Sequence, residues 1–149
     1  VPGAERDPAI IAGPSGRQIV EFPMSVATFA GMRLPVSGGG YFRLLPYWLF
    51  RAGMRRVNEA DGLPVPFYMH PWEIDAEQPR FRVSALSRFR HYTNLERCEA
   101  RLRRLLDDFE FATMEDVLMA RGLLGRAAVR RPAIAVGERA LSGMVGAAG

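Results

Sequence analysis

Val65-Pro66-Phe67-Tyr68-Met69-His70, followed at once by Pro71-Trp72-Glu73-Ile74-Asp75, decides how the rest of the chain is read. The first half is short and apolar and follows a turn at Asp61-Gly62, the pattern of a buried strand. Pro66 suits the beginning of a strand, where a missing N–H does least harm. The strand delivers His70 at its C-terminal end, the end at which α/β folds collect their sites. Asp75 opens a polar, arginine-rich stretch, and residues 71–93 read as one long loop.

Upstream, the spacing predicts a helix from about Tyr41 to Asn58, with Phe42, Leu45, Leu49, Met54 and Val57 apolar. Arg51, Arg55 and Arg56 suit its C-terminal end, and Pro46 is its weak point. Before it stands Ser37-Gly38-Gly39-Gly40, too glycine-rich for a regular element but able to let the backbone approach a neighbour closely. Gln18 to Met24 reads as a second short, buried strand, and Ala9 to Ala12 as another, with a turn at Pro14-Ser15-Gly16.

Downstream, Leu95, Cys98, Leu102, Leu105, Leu106 and Phe109 fall on one helical stripe, opposite Arg97, Arg101, Arg103 and Arg104. Thr93 with Glu96, or Asn94 alone, is expected to cap that helix. A short helix from Met114 to Arg121 follows, capped by Thr113. Residues 125–149 are rich in alanine and glycine and read as a disordered or loosely helical tail.

The composition excludes several classes. The chain has 149 residues and 48% hydrophobic content, enough for one core. No run approaches the ~20 apolar residues of a membrane span. The single cysteine, Cys98, rules out an internal disulfide framework and a cysteine-built zinc site. All 20 basic residues are arginine, so no lysine-bearing phosphate loop exists. The net charge is +4, of which the tail holds +3. The body is therefore nearly neutral, and no nucleic-acid partner is expected. The one basic candidate stretch, Arg80 to Arg104 with eight arginines, reads as a solvated loop and helix face. The chain begins with Val1 rather than methionine, which leads us to expect a processed chain or a missing beginning.

His70 is the side chain best suited to proton transfer near neutral pH, with Glu73 or Asp75 available to orient its ring. A hydrogen-bonded strand-end histidine is the competing reading. His91 reads as solvated, and Cys98 as a buried structural thiol.

Three segments taken together resemble a known family. They are Leu34 to Pro46, including Gly38-Gly39-Gly40-Tyr41-Phe42-Arg43; Phe67 to Asp75; and Ser87 to Leu95, including Arg88-Phe89-Arg90-His91-Tyr92. From about Val1 to Leu118 the chain is similar to the C-terminal part of NodB-type polysaccharide deacetylases, nearest to the subfamily of exopolysaccharide loci with exosortase (PEP-CTERM) systems. The resemblance implies an α/β fold, the C-terminal half of a distorted (β/α) barrel over residues 1–124, with a helical extension and then the tail at 125–149. It implies bacterial hydrolysis of N-acetyl groups on amino sugars of a polysaccharide substrate; the residues seen, without a signal-peptide pattern, lead us to expect a cytoplasmic rather than a secreted chain. The complete enzyme would use a divalent metal, zinc or similar. The ligands, one aspartate and two histidines, and the base would lie in an N-terminal half not seen here, so no metal ligand is assigned to this chain. By the same resemblance His70 is the general acid, and Phe67 and Met69 line the acetyl pocket. Trp72, Glu73, Gly39, Gly40, Tyr41 and Arg43 fall by position near the sugar. The isolated chain is expected to be inactive and prone to aggregation, since an open half-barrel exposes strand edges. A non-catalytic glycan-binding module and an arginine-rich nucleic-acid-binding protein are the alternatives.

Overall fold

Ala30 and Gly31 both take positive φ (46° and 84°), and this two-residue turn closes a hairpin between β1, Val26–Phe29, and β2, Met32–Pro35. Positive φ at both positions matches the twist of the flanking strands. One face of the hairpin is apolar: Ala27 and Leu34 are buried, and Val36 just beyond is fully buried. The computed structural model that shows this describes residues 6–124; the expected tail at 125–149 lies outside the described residues.

Against that face packs a pair of short helices, α1 (Gly39–Leu44) and α2 (Tyr47–Arg55). The expected single helix over 41–58 is divided at Pro46, which cannot continue α1 and sits at the start of α2 instead. Phe42, Phe50, Met54 and Val57 complete the core with Cys98 and Leu105. Gly53 lets α2 lie directly on the hairpin, since a Cβ there would meet Val36 Cγ1 at 2.6 Å. A π-helical turn, Arg56–Ala60, ends the unit, its Asp61 N–H bonding back to the Arg56 carbonyl at 3.2 Å.

After Gly62 the chain returns extended. Tyr68 N–H donates to Ser37 O at 2.9 Å, and Gly39 N–H donates to Tyr68 O at 3.0 Å. This makes a parallel bridge between Gly38 and Tyr68. β2 and its continuation to Gly38, the helix pair, and the extended 65–70 segment thus form a minimal β–α–β unit. Gly38 makes the contact possible: its φ is 111°, and a Cβ would fall 2.1 Å from Tyr68 O. The glycines do permit a close approach, but Gly39 and Gly40 also open α1, contrary to the expectation that they hold no element.

Two further expectations need correction. Val65 to His70 is not a full strand; it is extended chain with a single bridge. The predicted strand 18–24 is Gln18–Glu21 paired antiparallel with Ala9–Ala12, and this outlying hairpin is largely exposed, Ile19 included, rather than buried. The architecture is mixed α/β, with two small antiparallel hairpins and no closed barrel among the described residues.

The presumed loop 71–93 also contains structure: a 3-10 turn over Pro71–Ile74 and a helix, α3, Ala85–Tyr92. Ser84 caps α3 by accepting Ser87 N–H. Then α4, Leu95–Asp108, buries Leu95, Cys98 and Leu105, whereas Leu106 is exposed. Asn94 does not cap it by side chain. Its backbone is left-handed (φ 59°), and its Nδ2 donates instead to Arg43 O at 2.8 Å. α5, Met114–Ala120, starts at Thr113, which accepts Asp116 N–H at 3.1 Å as expected. No helix among the described residues is long and apolar enough to cross a membrane.

α4 is tied to α2 through Asp108. Tyr47 Oη donates to Asp108 Oδ2 at 2.6 Å, and Arg51 and Arg104 lie 3.1 and 3.8 Å from the same oxygen. The Tyr47 hydrogen bond first, and then the two guanidinium groups, hold the Asp108 carboxyl below the usual carboxylate range. The folded value lies below the unfolded one, so this stabilisation is complete above about pH 4 and is lost as pH falls through the folded value. Tyr47→Phe is therefore expected to lower stability near neutrality and to flatten part of the acid limb. Urea midpoints at neutral pH and at about pH 3 check this, and an unchanged acid limb would refute it.

Candidate functional site

The turn His70-Pro71-Trp72-Glu73 builds the site from local rules. Proline occupies the first position of the turn, where its absent N–H costs nothing. Three residues past His70, the Glu73 carboxylate reaches back, and its Oε2 accepts His70 N–H at 2.9 Å. The same oxygen lies 3.4 Å from His70 Nδ1. Glu73 is therefore the carboxylate that faces the ring; Asp75 is turned away and accepts Glu77 N–H. His70 remains open, its side chain 55% exposed. With Nδ1 facing the carboxylate, Nε2 has no hydrogen-bond partner among the described residues.

Glu73 is only 1% exposed, and its charge needs a partner. Arg43, equally buried, supplies it: Nε donates to Glu73 Oε1 at 2.9 Å. The rest of the guanidinium is spent on backbone: Nη1 donates to His91 O and Thr93 O at 3.1 and 2.9 Å, and Nη2 to Arg90 O at 3.0 Å. These are carbonyls at the C-terminal end of α3, where a cation is favoured. Arg101 does the same for α1, donating to the carbonyls of Phe42, Arg43 and Leu45 at 2.7 to 3.1 Å. Arg43 is thus not a surface residue free to bond a sugar. It fixes Glu73, and Glu73 fixes His70.

An aromatic stack covers this core. Trp72 stacks with His70 (5.6 Å between centroids, 21° between planes) and with His91 (4.3 Å, 22°), and the Arg43 guanidinium lies 5.2 Å from its ring centre. The Trp72 ring already stacks on protein groups and is not a bare platform. His91, expected to be merely solvated, is a member of the site. Its position in the chain gives no sign of this, because the contact depends on α3 bringing residue 91 back over the turn. Glu73 did leave a signal, since His-Pro-x-Glu has capping-box spacing.

Other expected site residues separate. Tyr41 is about half exposed, as is Tyr68, whose ring meets His70 edge-on at 5.9 Å. Gly39 lies against the Tyr68 side chain, and Gly40 has open space where a Cβ would stand. Phe67 and Met69 are not on the His70 side. Successive residues of extended chain face opposite ways, and these two turn into the core. Phe67 meets Phe42 at 5.1 Å and Phe111 at 6.3 Å. It lines an apolar groove with Met54, Val65, Phe109 and Phe111, and no residue of the 70–73 turn borders that groove. Cys98 is fully buried beneath the site, where burial first and the Glu73 charge second push its thiol upward and keep it inert. Among the described residues no three histidine, cysteine or carboxylate side chains converge as metal ligands.

Fold and site together define a small mixed α/β domain that presents one histidine on a buried arginine–glutamate pair. The chain belongs to the family DUF3473, a domain of unknown function, whose match covers residues 1–119. No curated protein and no solved structure matches it.

Proposed function

We propose that this domain supplies the proton-donating histidine of a metal-dependent polysaccharide deacetylase acting on N-acetylated amino sugars of an exopolysaccharide. The observation that carries the reading is the chain Arg43–Glu73–His70: a buried carboxylate, pinned by a buried guanidinium, faces Nδ1 of an exposed histidine. Such a carboxylate fixes the tautomer and the orientation of the ring. An amide releases its amine only when the nitrogen is protonated, and an exposed imidazole held in one orientation is suited to deliver that proton. Membership of a family known to go with NodB-type deacetylases supports the same reading.

The described residues do not form a metal cradle, so the divalent ion and the water it would activate belong, in this proposal, to other residues. This chain's part is the proton. Arg43 and Glu73 are positioning residues, and the half-buried Phe67 and Met69 pack against the core on the face opposite His70. Tyr41 and Tyr68 remain the aromatic surfaces open to a sugar ring.

The test begins at the gene. The reading frame upstream of the Val1 codon should encode an Asp-Asp pair and a His-x-x-x-His motif, and the protein it specifies should release acetate from N-acetylglucosamine oligomers. A stop codon directly upstream, together with saturable oligosaccharide binding and no acetate release, would replace this proposal with the glycan-binding module.

A further inference from the structure

Residues 80–92 carry a surface that the proton-transfer reading does not use. No residue of α3 is buried. Phe81 is 71% exposed, Leu86 and Phe89 are more than half exposed, and Val83 is close behind. Phe81 and Val83 line one shallow cleft with Ser87, Arg90 and His91, so the extended segment and the helix share a face. Arg80, Arg82, Arg88 and Arg90 stand among these apolar side chains. None of the four forms an ion pair among the described residues, and no acidic residue occurs between Gln78 and Leu95. Most other arginines of the body are paired with Asp or Glu.

Exposed apolar side chains interleaved with cations that have no acidic partner, one of them (Arg80) lying over the Tyr92 ring at 5.6 Å, are unusual for a free surface. We propose that this face docks on a lipid bilayer rich in anionic headgroups, with Phe81, Val83, Leu86 and Phe89 entering the interface and the four arginines meeting the phosphates. Arginine suits this geometry because its apolar stem can lie along the acyl boundary while its head stays in the headgroup layer. A second copy of the chain is a poor occupant, because it would bring the same four positive charges. A nucleic acid would satisfy the arginines but leave Val83 and Leu86 without a partner. Since His91 both lines the cleft and stacks on Trp72, docking would hold the His70 site beside the bilayer.

Flotation of the 149-residue chain with vesicles tests this, since protein aggregates do not float. The chain is expected to rise with vesicles of phosphatidylcholine and phosphatidylglycerol in equal parts, and not with phosphatidylcholine alone. Phe81→Ser with Phe89→Ser should weaken partitioning by roughly 10-fold or more. Arg82→Gln with Arg88→Gln should weaken it by roughly 25-fold, about 5-fold for each charge. All four side chains are exposed, so circular dichroism should show both variants folded; if the phenylalanine variant unfolds, Leu86→Ser takes its place. Absence of flotation, equal flotation on neutral vesicles, or partitioning indifferent to the apolar substitutions would overturn the proposal. So would displacement from anionic vesicles by a single-stranded oligonucleotide at equal phosphate concentration, which would point to nucleic acid instead.

Discussion

Arg43→Ala is expected to destabilise the domain by about 3–5 kcal/mol, more than any other single substitution of a polar residue in it. Removing one member of a buried pair leaves the other charged and without compensation, and Glu73 has no water to turn to. Arg43 also holds three backbone carbonyls, those of Arg90, His91 and Thr93, and these lose their donor together. In a domain of this size the loss corresponds to a fall of roughly 10–20 °C in Tm. A paired substitution separates the two contributions. Arg43→Met with Glu73→Leu removes both charges and should recover part of the loss, since apolar replacements of similar volume restore packing. Recovery should be incomplete, because the carbonyls at the end of α3 still lack their donor. Urea unfolding of the parent and the two variants gives the comparison. A loss below about 1 kcal/mol for Arg43→Ala would mean that the guanidinium is solvated and that the pair does not anchor the His70 turn.

The parts of this architecture that obey local periodicity were legible in the sequence. The stripe Leu95, Cys98, Leu102, Leu105 announces α4, and Thr113 announces α5. Pro46 marks where α1 must yield to α2. The hairpin at Ala30-Gly31 was not seen, because its turn lacks the usual Asn-Gly or Asp-Gly signal and places an alanine at positive φ. Its strands are only four residues each, too short for alternation to stand out. α3 reads as loop in the sequence for a different reason. It buries nothing, so no apolar stripe points to a core, and its arginines read as solvation.

The site divides in the same way. His70 stands out by residue type and by its place after an apolar run. Arg43 falls near the sugar by position alone, but arginine is rarely buried without a partner, and the partner that buries it lies 30 residues away. Sequence spacing carries no information about a contact of that range. The stack of Trp72 on His91 is hidden for the same reason, as it depends on α3 folding back across the turn. Phe67 and Met69 carry the opposite ambiguity. An apolar side chain suits a wall for a ligand and equally suits the protein's own core, against which both of these pack. Type alone could not distinguish these two uses of an apolar side chain. Direction along the backbone does.

His70→Ala, made in the deacetylase proposed above, is expected to lower kcat for N-acetylglucosamine oligomers by about 10²–10⁴-fold with little change in KM. The deficit should depend on the leaving group. An amine cannot depart as its anion, so its nitrogen must receive a proton as the bond breaks. A 4-nitrophenolate leaves without one. Hydrolysis of 4-nitrophenyl acetate by the same variant should therefore fall by no more than a few-fold, about 3-fold. A collapsed or misassembled site would lose both reactions alike, so the ratio of the two rates separates a missing acid from a damaged fold. Glu73→Gln should give an intermediate deficit on the amide, roughly 10–100-fold, because the ring loses its charged neighbour but keeps its place on the turn. If His70→Ala hydrolyses the amide within about 3-fold of the parent, the proton comes from another group, and the Arg43–Glu73 pair serves only to hold the turn.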